Sequence, residues 1–97
     1  MVPTNSTSPT AEQWEALRQC ESGGNYQAVS PSGRYRGAYQ FSRSTWNWLA
    51  GSIGSTHLVD ADPAAASQTD QDQMAAALWE RQGWQPWPAC SKKLGFR

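Results

Sequence analysis

The stretch that decides the fold is CESGGNYQAVSPSGRYRGAYQF, which runs from Cys20 to Phe41. It places one carboxylate, Glu21, at the end of a helical pattern. The pair Gly23 and Gly24 follows, and glycines end helices because they adopt the left-handed conformation at low cost. No further Asp or Glu occurs until Asp60. A lone acid beside a turn, followed by an acid-free segment, makes the chemistry of Glu21 the first question.

Polar caps, apolar stripes and glycines predict three main helices. The fold class is therefore mostly α, with an irregular loop or a short hairpin over residues 22–41. The expected caps and ends are Thr10 with Gln13 and Gly23 for the first helix, Ser42 and Gly51 for the second, and Thr69 and Gly83 for the third.

A length of 97 residues favours a single domain. Residues 1–9 are rich in Ser, Thr and Pro and predict a disordered lead or linker. Residues 10–90 are expected to form the folded domain, and residues 91–97 a frayed basic tail. Within the domain, a short helix is expected to begin at Pro63. The segment WQPWPAC, residues 84–90, is expected to be an extended clasp.

The charge balance argues against some partners. Eight basic residues balance eight acidic ones, which does not suit a binder of nucleic acid or of an anionic membrane. No apolar run is long enough to cross a bilayer. The start, MVPTNSTSPT, lacks the basic and apolar regions of a signal peptide. Export is then expected by another route, or after removal of a leader.

Two cysteines, Cys20 and Cys90, occur without a CxxC motif, and His57 is the only histidine. Neither a metal nor any other cofactor is therefore expected. A disulfide is favoured; it would close a loop of about 70 residues and add about 4 kcal/mol in the chain-entropy model. Such a bond indicates an oxidising, extracytoplasmic location. The alternative is a pair of buried free thiols in a cytosolic protein.

Glu21 has the setting of a general acid. It falls in the last turn of the first helix, where the helix dipole disfavours a negative charge. Trp14 and Leu17 lie beneath it, so partial burial is also expected to raise its pKa. A carboxylic acid of raised pKa keeps its proton near neutral pH and can deliver it to the leaving oxygen of a glycosidic bond. The alternative is an ordinary solvated glutamate.

Several motifs in this order carry a family resemblance: CESGGNY, GAYQF, STW and RQGWQPWPAC. From about Trp14 to Cys90 the chain resembles the resuscitation-promoting-factor or transglycosylase-like domain of actinobacterial cell-wall hydrolases. That family is similar to c-type lysozyme and the soluble lytic transglycosylases. The E-S-G, A-x-S-P-x-G and G-x-x-Q pattern of lytic transglycosylases also occurs, between Glu21 and Gln40.

The resemblance implies a small α+β lysozyme-like fold in which Glu21 is the catalytic acid and Cys20 pairs with Cys90. The glycan-binding positions that it implies are Gln40, Thr45 and Gln82. The chain departs from the family where Tyr39 stands in place of Leu or Val and where Tyr26 stands in place of Trp. Residues 51–68 also read as longer than usual.

Six tryptophans in so short a chain are expected to divide between the core and a surface that stacks on sugar rings. Trp14 and Trp79 lie on apolar stripes and are assigned to the core, whereas Trp46 fits either role. The candidates for the groove are Tyr35, Tyr39, Trp84 and Trp87. Three basic residues near the expected groove, Arg34, Arg36 and Arg43, are candidates for wall carboxylates or for a solvated rim.

Glycosidases usually pair two carboxylates, but residues 22–59 contain none. Capping or solvation accounts for the later acids, which are Asp60, Asp62, Asp70, Asp72 and Glu80. A single-acid mechanism is therefore expected, in which the N-acetyl or 6-hydroxyl group of the substrate replaces the protein nucleophile. With the resemblance, this predicts cleavage of the β-1,4 bond between N-acetylmuramic acid and N-acetylglucosamine in peptidoglycan.

The expected protein is a monomer that acts on the peptidoglycan glycan strand, secreted or associated with the cell wall. Two other classes remain open. One is a non-catalytic module that binds peptidoglycan, and the other is a secreted signalling or structural protein of the same fold. A bacteriophage-borne wall hydrolase would carry the same chemistry.

Overall fold

The structure, a computed structural model, describes residues 8–96 and is built from short helices. The helices are α1 (Ala11–Ser22), α2 (Arg43–Ser52), α3 (Gln68–Gln82) and α4 (Pro88–Lys93), with a 3₁₀ turn at Thr56–Leu58. Strand pairing within the described residues is limited to two isolated bridges, Val29 with Arg36 and Arg36 with Phe41. The mostly α class is thus confirmed, and residues 23–41 form an irregular loop whose strand pairing is limited to these two bridges.

The predicted caps of the first two helices are confirmed. Thr10 and Gln13 form a reciprocal capping box, with hydrogen bonds of 3.1 Å and 2.9 Å, at the start of α1. Gly23 ends the helix in the left-handed conformation, with a φ of 67°. Ser42 caps α2 by accepting a hydrogen bond from the backbone N–H of Thr45. The predicted end at Gly51 is one residue short of the observed end.

The approach to α3 differs from the prediction. Ser67, not Thr69, is the N-cap, because its hydroxyl accepts a hydrogen bond of 3.0 Å from the backbone N–H of Asp70. The short helix expected at Pro63 is also wrong. Residues 63–66 form a turn instead, and the Asp62 side chain accepts from the backbone N–H of Ala64. Both Ser and Thr favour N-caps, so the local pattern could not choose between them.

The C-terminal segment is also more ordered than predicted. Pro88 occupies the start of α4, where proline favours helix initiation, so only part of residues 84–90 is non-helical. Residues 91–93 continue this helix instead of fraying. Ser91 is fully buried, and the ring centroid of Phe96 lies 4.5 Å from that of Trp84. The division of the chain at residue 90 stays a prediction.

The core lies where α2 packs on α3 and α1 packs on α4. Trp46 is its largest fully buried side chain, and its indole N–H donates to the carbonyl oxygen of Leu58 at 2.8 Å. The core side chains around it include Leu17, Tyr39, Phe41, Leu49, Met74 and Leu78. The predicted disulfide is confirmed: Cys20 in α1 is bonded to Cys90 in α4. It fixes the turn of α1 that carries Glu21.

Two further findings concern residues 8–96 alone. None of their helices has the length and apolar character that a membrane crossing requires. Their histidine, cysteine and acidic side chains do not gather in threes at any place where a metal ion could be held.

Candidate active site

Glu21 lies in the last turn of α1, between disulfide-bonded Cys20 and Ser22. Its side chain is partly buried. Removal of a carboxylate from water disfavours its charged form, and this burial raises the pKa of Glu21 to about 7. A substantial fraction of Glu21 is therefore protonated at neutral pH, as a general acid requires.

Glu21 lines an open cavity of about 500 Å³. Three parts of the chain build its walls: the end of α1, the loop before α2 and the segment that leads into α4. The other lining residues are Tyr35, Gln40, Gln85, Pro86, Pro88 and Ala89. An acid of raised pKa at the wall of an accessible cavity has room for a substrate oxygen beside it.

A second cavity of about 160 Å³ continues from the first, since Tyr35, Gln40 and Pro86 line both. We call the two together the groove. Thr45 at the start of α2 and Gln82 at the end of α3 line the second cavity. The structure thus brings Gln40, Thr45 and Gln82 into one groove with Glu21, although they come from three different elements. Their roles in binding stay predictions.

Gln40 has an unusual backbone conformation in this groove. Its φ of 54° lies in the left-handed region, which side chains other than glycine rarely adopt. The side-chain amide nitrogen of Gln40 donates a hydrogen bond of 3.0 Å to the carbonyl oxygen of Gly37. Such strained residues persist only where the surrounding structure holds them, and they cluster at functional sites.

Tyr39 was expected to face the groove, but its ring belongs to the core and is only 1% exposed. One edge still lines the second cavity. Its hydroxyl accepts from Arg18 at 2.8 Å and donates to Asp72 at 2.6 Å. The hydroxyl of Tyr26 donates to the same Asp72 oxygen at 2.7 Å. The two tyrosines that depart from the family pattern thus meet at one carboxylate.

Trp84, a second candidate for the groove, packs among other aromatic side chains instead. Its ring lies among other aromatic rings at centroid distances of 4.5 to 6.3 Å, namely Trp14, Trp79, Trp87 and Phe96. It lines neither cavity of the groove. Tyr35 does line both cavities and is 47% exposed. Tyr35 is therefore an exposed aromatic side chain at the junction of the two cavities.

Two of the other carboxylates, Asp60 and Asp62, have hydrogen-bond partners of their own. Asp62 accepts from Arg36 at 2.7 Å and 2.8 Å, and this pairing holds the pKa of Asp62 at about 2. Asp60 accepts from the Asn47 side chain at 3.1 Å. Within residues 8–96, neither cavity of the groove is lined by a second carboxylate. The geometry therefore favours chemistry with one acid.

Sequence reasoning placed no role on four residues that line the Glu21 cavity, which are Gln85, Pro86, Pro88 and Ala89. One signal pointed to them. They immediately precede Cys90, and a bond from Cys90 to Cys20 carries the segment to the neighbour of Glu21. Of the three arginines proposed near the groove, Arg36 is engaged by Asp62, and Arg43 lies 3.8 Å from the same carboxylate.

Comparisons with known proteins place the sequence near one family. The family model described as "Transglycosylase-like domain" matches residues 8–90. Resuscitation-promoting factor Rpf1 of Corynebacterium glutamicum is 41% identical over 96 residues, which cover 99% of this chain and 46% of that protein. Resuscitation-promoting factor RpfC of Mycobacterium tuberculosis is 39% identical over 83 residues, covering 86% of this chain and 53% of that protein.

Resuscitation-promoting factor Rpf of Micrococcus luteus is 36% identical over 87 residues, covering 90% of this chain and 35% of that protein. The chain thus spans about half, or less, of the length of these relatives. All three come from bacteria and lend no support to a bacteriophage origin.

Proposed function

Because the chain belongs to the transglycosylase-like domain family, we propose that it is a muralytic enzyme of the cell wall. Its substrate is the peptidoglycan glycan strand, and it cleaves the β-1,4 bond between N-acetylmuramic acid and N-acetylglucosamine. The observation that carries the proposal is the position of Glu21 at the wall of the groove, where burial raises its pKa to about 7. Since the relatives are longer, the proposal concerns the activity of this domain.

Glu21 acts first as the acid. It gives its proton to the glycosidic oxygen, and the bond from that oxygen to the anomeric carbon breaks as an oxocarbenium-like state develops. The resulting carboxylate then acts as the base. If it takes the proton of the substrate 6-hydroxyl, that oxygen closes a 1,6-anhydro ring.

In the other route, the N-acetyl oxygen closes on the anomeric carbon and a water deprotonated by Glu21 reopens that ring, which leaves a reducing end. Mass spectrometry of the digested wall distinguishes the two products.

The groove suits an uncharged sugar. Gln40, Thr45 and Gln82 carry neutral donors and acceptors that match hydroxyl and acetamido groups. Tyr35 offers a half-exposed ring for the apolar face of a pyranose. A second negative charge beside Glu21 would raise its pKa further but would also repel the carboxylate that forms during the reaction. One acid in a neutral groove avoids that repulsion.

Zymography on bacterial wall tests the proposal. Wild type should clear the wall, and Glu21→Gln should fold normally but clear nothing, because an amide cannot donate the required proton. Glu80→Gln, a change of the same chemistry at an exposed site on α3, should behave as wild type. Full activity of Glu21→Gln would exclude the proposed role.

A pull-down on insoluble wall separates catalysis from binding. Retention of wild type on the wall without any turnover would identify a non-catalytic binding module instead.

We propose that the domain acts as a monomer outside the cytoplasm, where its disulfide is stable.

A further inference from the structure

We propose that Gln71, a buried residue of α3, is a positioning residue for the groove: it holds the backbone of Ala38 and thereby fixes Gln40 beside Glu21. The inference rests on the function proposed above, since it names a residue that acts on the same site without touching the substrate.

Gln71 is 1% exposed, yet its amide group is fully used. Its side-chain oxygen accepts from the backbone N–H of Ala38 at 2.9 Å. Its side-chain nitrogen donates to the carbonyl oxygens of Tyr26 and Ala66 at 2.9 Å and 3.0 Å. One side chain thus ties α3 to the loop before α2, to the turn after α1 and to the turn before α3.

Ala38 is held from its other side by the neighbour of the catalytic acid. The hydroxyl of Ser22 donates to the carbonyl oxygen of Ala38 at 2.8 Å. One residue further, the indole N–H of Trp87 donates to the carbonyl oxygen of Tyr39 at 3.0 Å. The backbone of residues 38 and 39 is therefore fixed on three sides, by α3, by the end of α1 and by the segment before α4.

The contact between Gln71 and this segment is close. Gly37 has a φ of 88°, and a Cβ atom placed on it would lie 2.6 Å from the side-chain oxygen of Gln71. Gln40 holds its left-handed conformation directly after these anchors, in the turn that the bridge between Arg36 and Phe41 closes. Because a strained residue keeps its geometry only when its surroundings over-determine it, the hold on Ala38 acts together with this bridge to keep Gln40 in the groove.

Core packing alone does not call for an amide at this place. Met74 and Leu78 fill the same face of α3 with apolar groups, and a buried amide is tolerated only when its hydrogen bonds are made. The specific contribution of Gln71 is therefore the placement of the segment that it binds.

The test compares Gln71→Met with wild type at a temperature where both are fully folded. Methionine has a similar length but leaves the Ala38 N–H without an acceptor. We expect kcat on soluble peptidoglycan fragments to fall by about tenfold or more, while KM changes by less than about threefold, because misplacement acts on the reacting geometry. An unchanged kcat in the folded variant would overturn the proposal.

Leu58→Ala is the matched control for lost stability. Leu58 is 5% exposed in the 3₁₀ turn and lines neither cavity of the groove. The substitution should lower the melting temperature but leave kcat within about twofold of wild type, because the space left by the truncated side chain does not open into the groove. An equal loss of kcat in this control would also overturn the proposal, because general destabilisation would then explain both variants.

If Gln71→Met does not fold, Ser22→Ala tests the same hold from the other side by removing one hydroxyl. A kcat within about twofold of wild type would then contradict the proposal, because the positioning of Ala38 would not matter.

NMR titration of Glu21 keeps this proposal distinct from the proposed function. If wild type itself lacks muralytic activity, the proposed function fails. A lower Glu21 pKa in the folded variant (Gln71→Met or Ser22→Ala) still supports positioning by Gln71, because a displaced loop would leave Glu21 less buried. A Glu21 pKa equal to that of wild type would then overturn the positioning role of Gln71.

Discussion

At the scale of a single residue, Glu21 owes its chemistry to its place at the end of α1. Burial raises its pKa to about 7. A group whose pKa is raised in the folded state stabilises the fold while it is protonated, and that contribution is lost as the pH rises. The group that equips the groove for acid catalysis therefore makes the fold less stable at alkaline pH.

We expect Glu21→Gln to remove this dependence. The contribution of wild-type Glu21 is full below its ordinary pKa of 4.5 and is lost as the pH rises through about 7. Between pH 4 and pH 8, the free energy of unfolding of the variant should rise by about 1–2 kcal/mol relative to that of wild type. This figure is smaller than the full pKa shift would give, because the carboxyl group is partly exposed to solvent. Urea unfolding at both pH values measures it. Parallel stabilities across the range would contradict the raised pKa.

The partly buried setting of Glu21 was predictable from sequence because its cause is local: a helix end, two glycines and a neighbouring cysteine. Its role as the catalytic acid stays a proposal. The place of Tyr39 was not. A tyrosine suits a core or a sugar-binding surface equally well, and the partner that decides between them, Asp72, lies 33 residues away. The role of Gln71 could not be predicted either, because its three side-chain hydrogen bonds all reach segments outside α3.

At the scale of an element, the loop before α2 is positioned more by hydrogen bonds from other elements than by β-bridges within the loop itself. Its bridges are isolated, while its backbone is bound by Gln71, Ser22 and Trp87. Sequence patterns found α1 and α2 because their caps are local. They misplaced the cap of α3, where Ser67 and Thr69 compete, and they missed α4, whose six residues are too short for a periodic signal.

Two glycines of this loop allow a matched comparison. Gly33→Ala should cost about 1–2 kcal/mol, since its φ of 77° disfavours a side chain but the space beside it is open. Gly37→Ala should cost about 3 kcal/mol or more, because its Cβ would also displace Gln71. Thermal unfolding of both variants measures the difference. Equal losses would show that the contact with Gln71 does not constrain the loop.

At the scale of the whole molecule, the disulfide joins the two ends of the folded region. Cys20 and Cys90 are separated by 70 residues, so the bond restricts most of the unfolded chain. A chain of this size buries a small core, and the bond also sets the segment before α4 against Glu21. Sequence predicted the bond and the helical class, but it could not show that this segment forms a wall of the groove.

Replacement of both cysteines, as Cys20→Ser with Cys90→Ser, should lower the free energy of unfolding by about 4 kcal/mol in the chain-entropy model. Urea unfolding with and without dithiothreitol measures it. Reduced wild type should match the double variant, and the double variant should not respond to the reductant. A loss below about 1 kcal/mol would mean that the core alone holds the two ends together.

In the proposed reaction a protonated Glu21 cleaves the glycan strand without a second acid, and the pH dependence of kcat/KM for peptidoglycan reports the pKa on which that reaction depends. The rate should be sustained up to neutral pH and fall about tenfold per unit above a midpoint near 7. Glu21→Gln should be inactive at every pH. A midpoint near 4.5, the ordinary pKa of a glutamate, would contradict this mechanism. Wild-type activity in Glu21→Gln would contradict it as well.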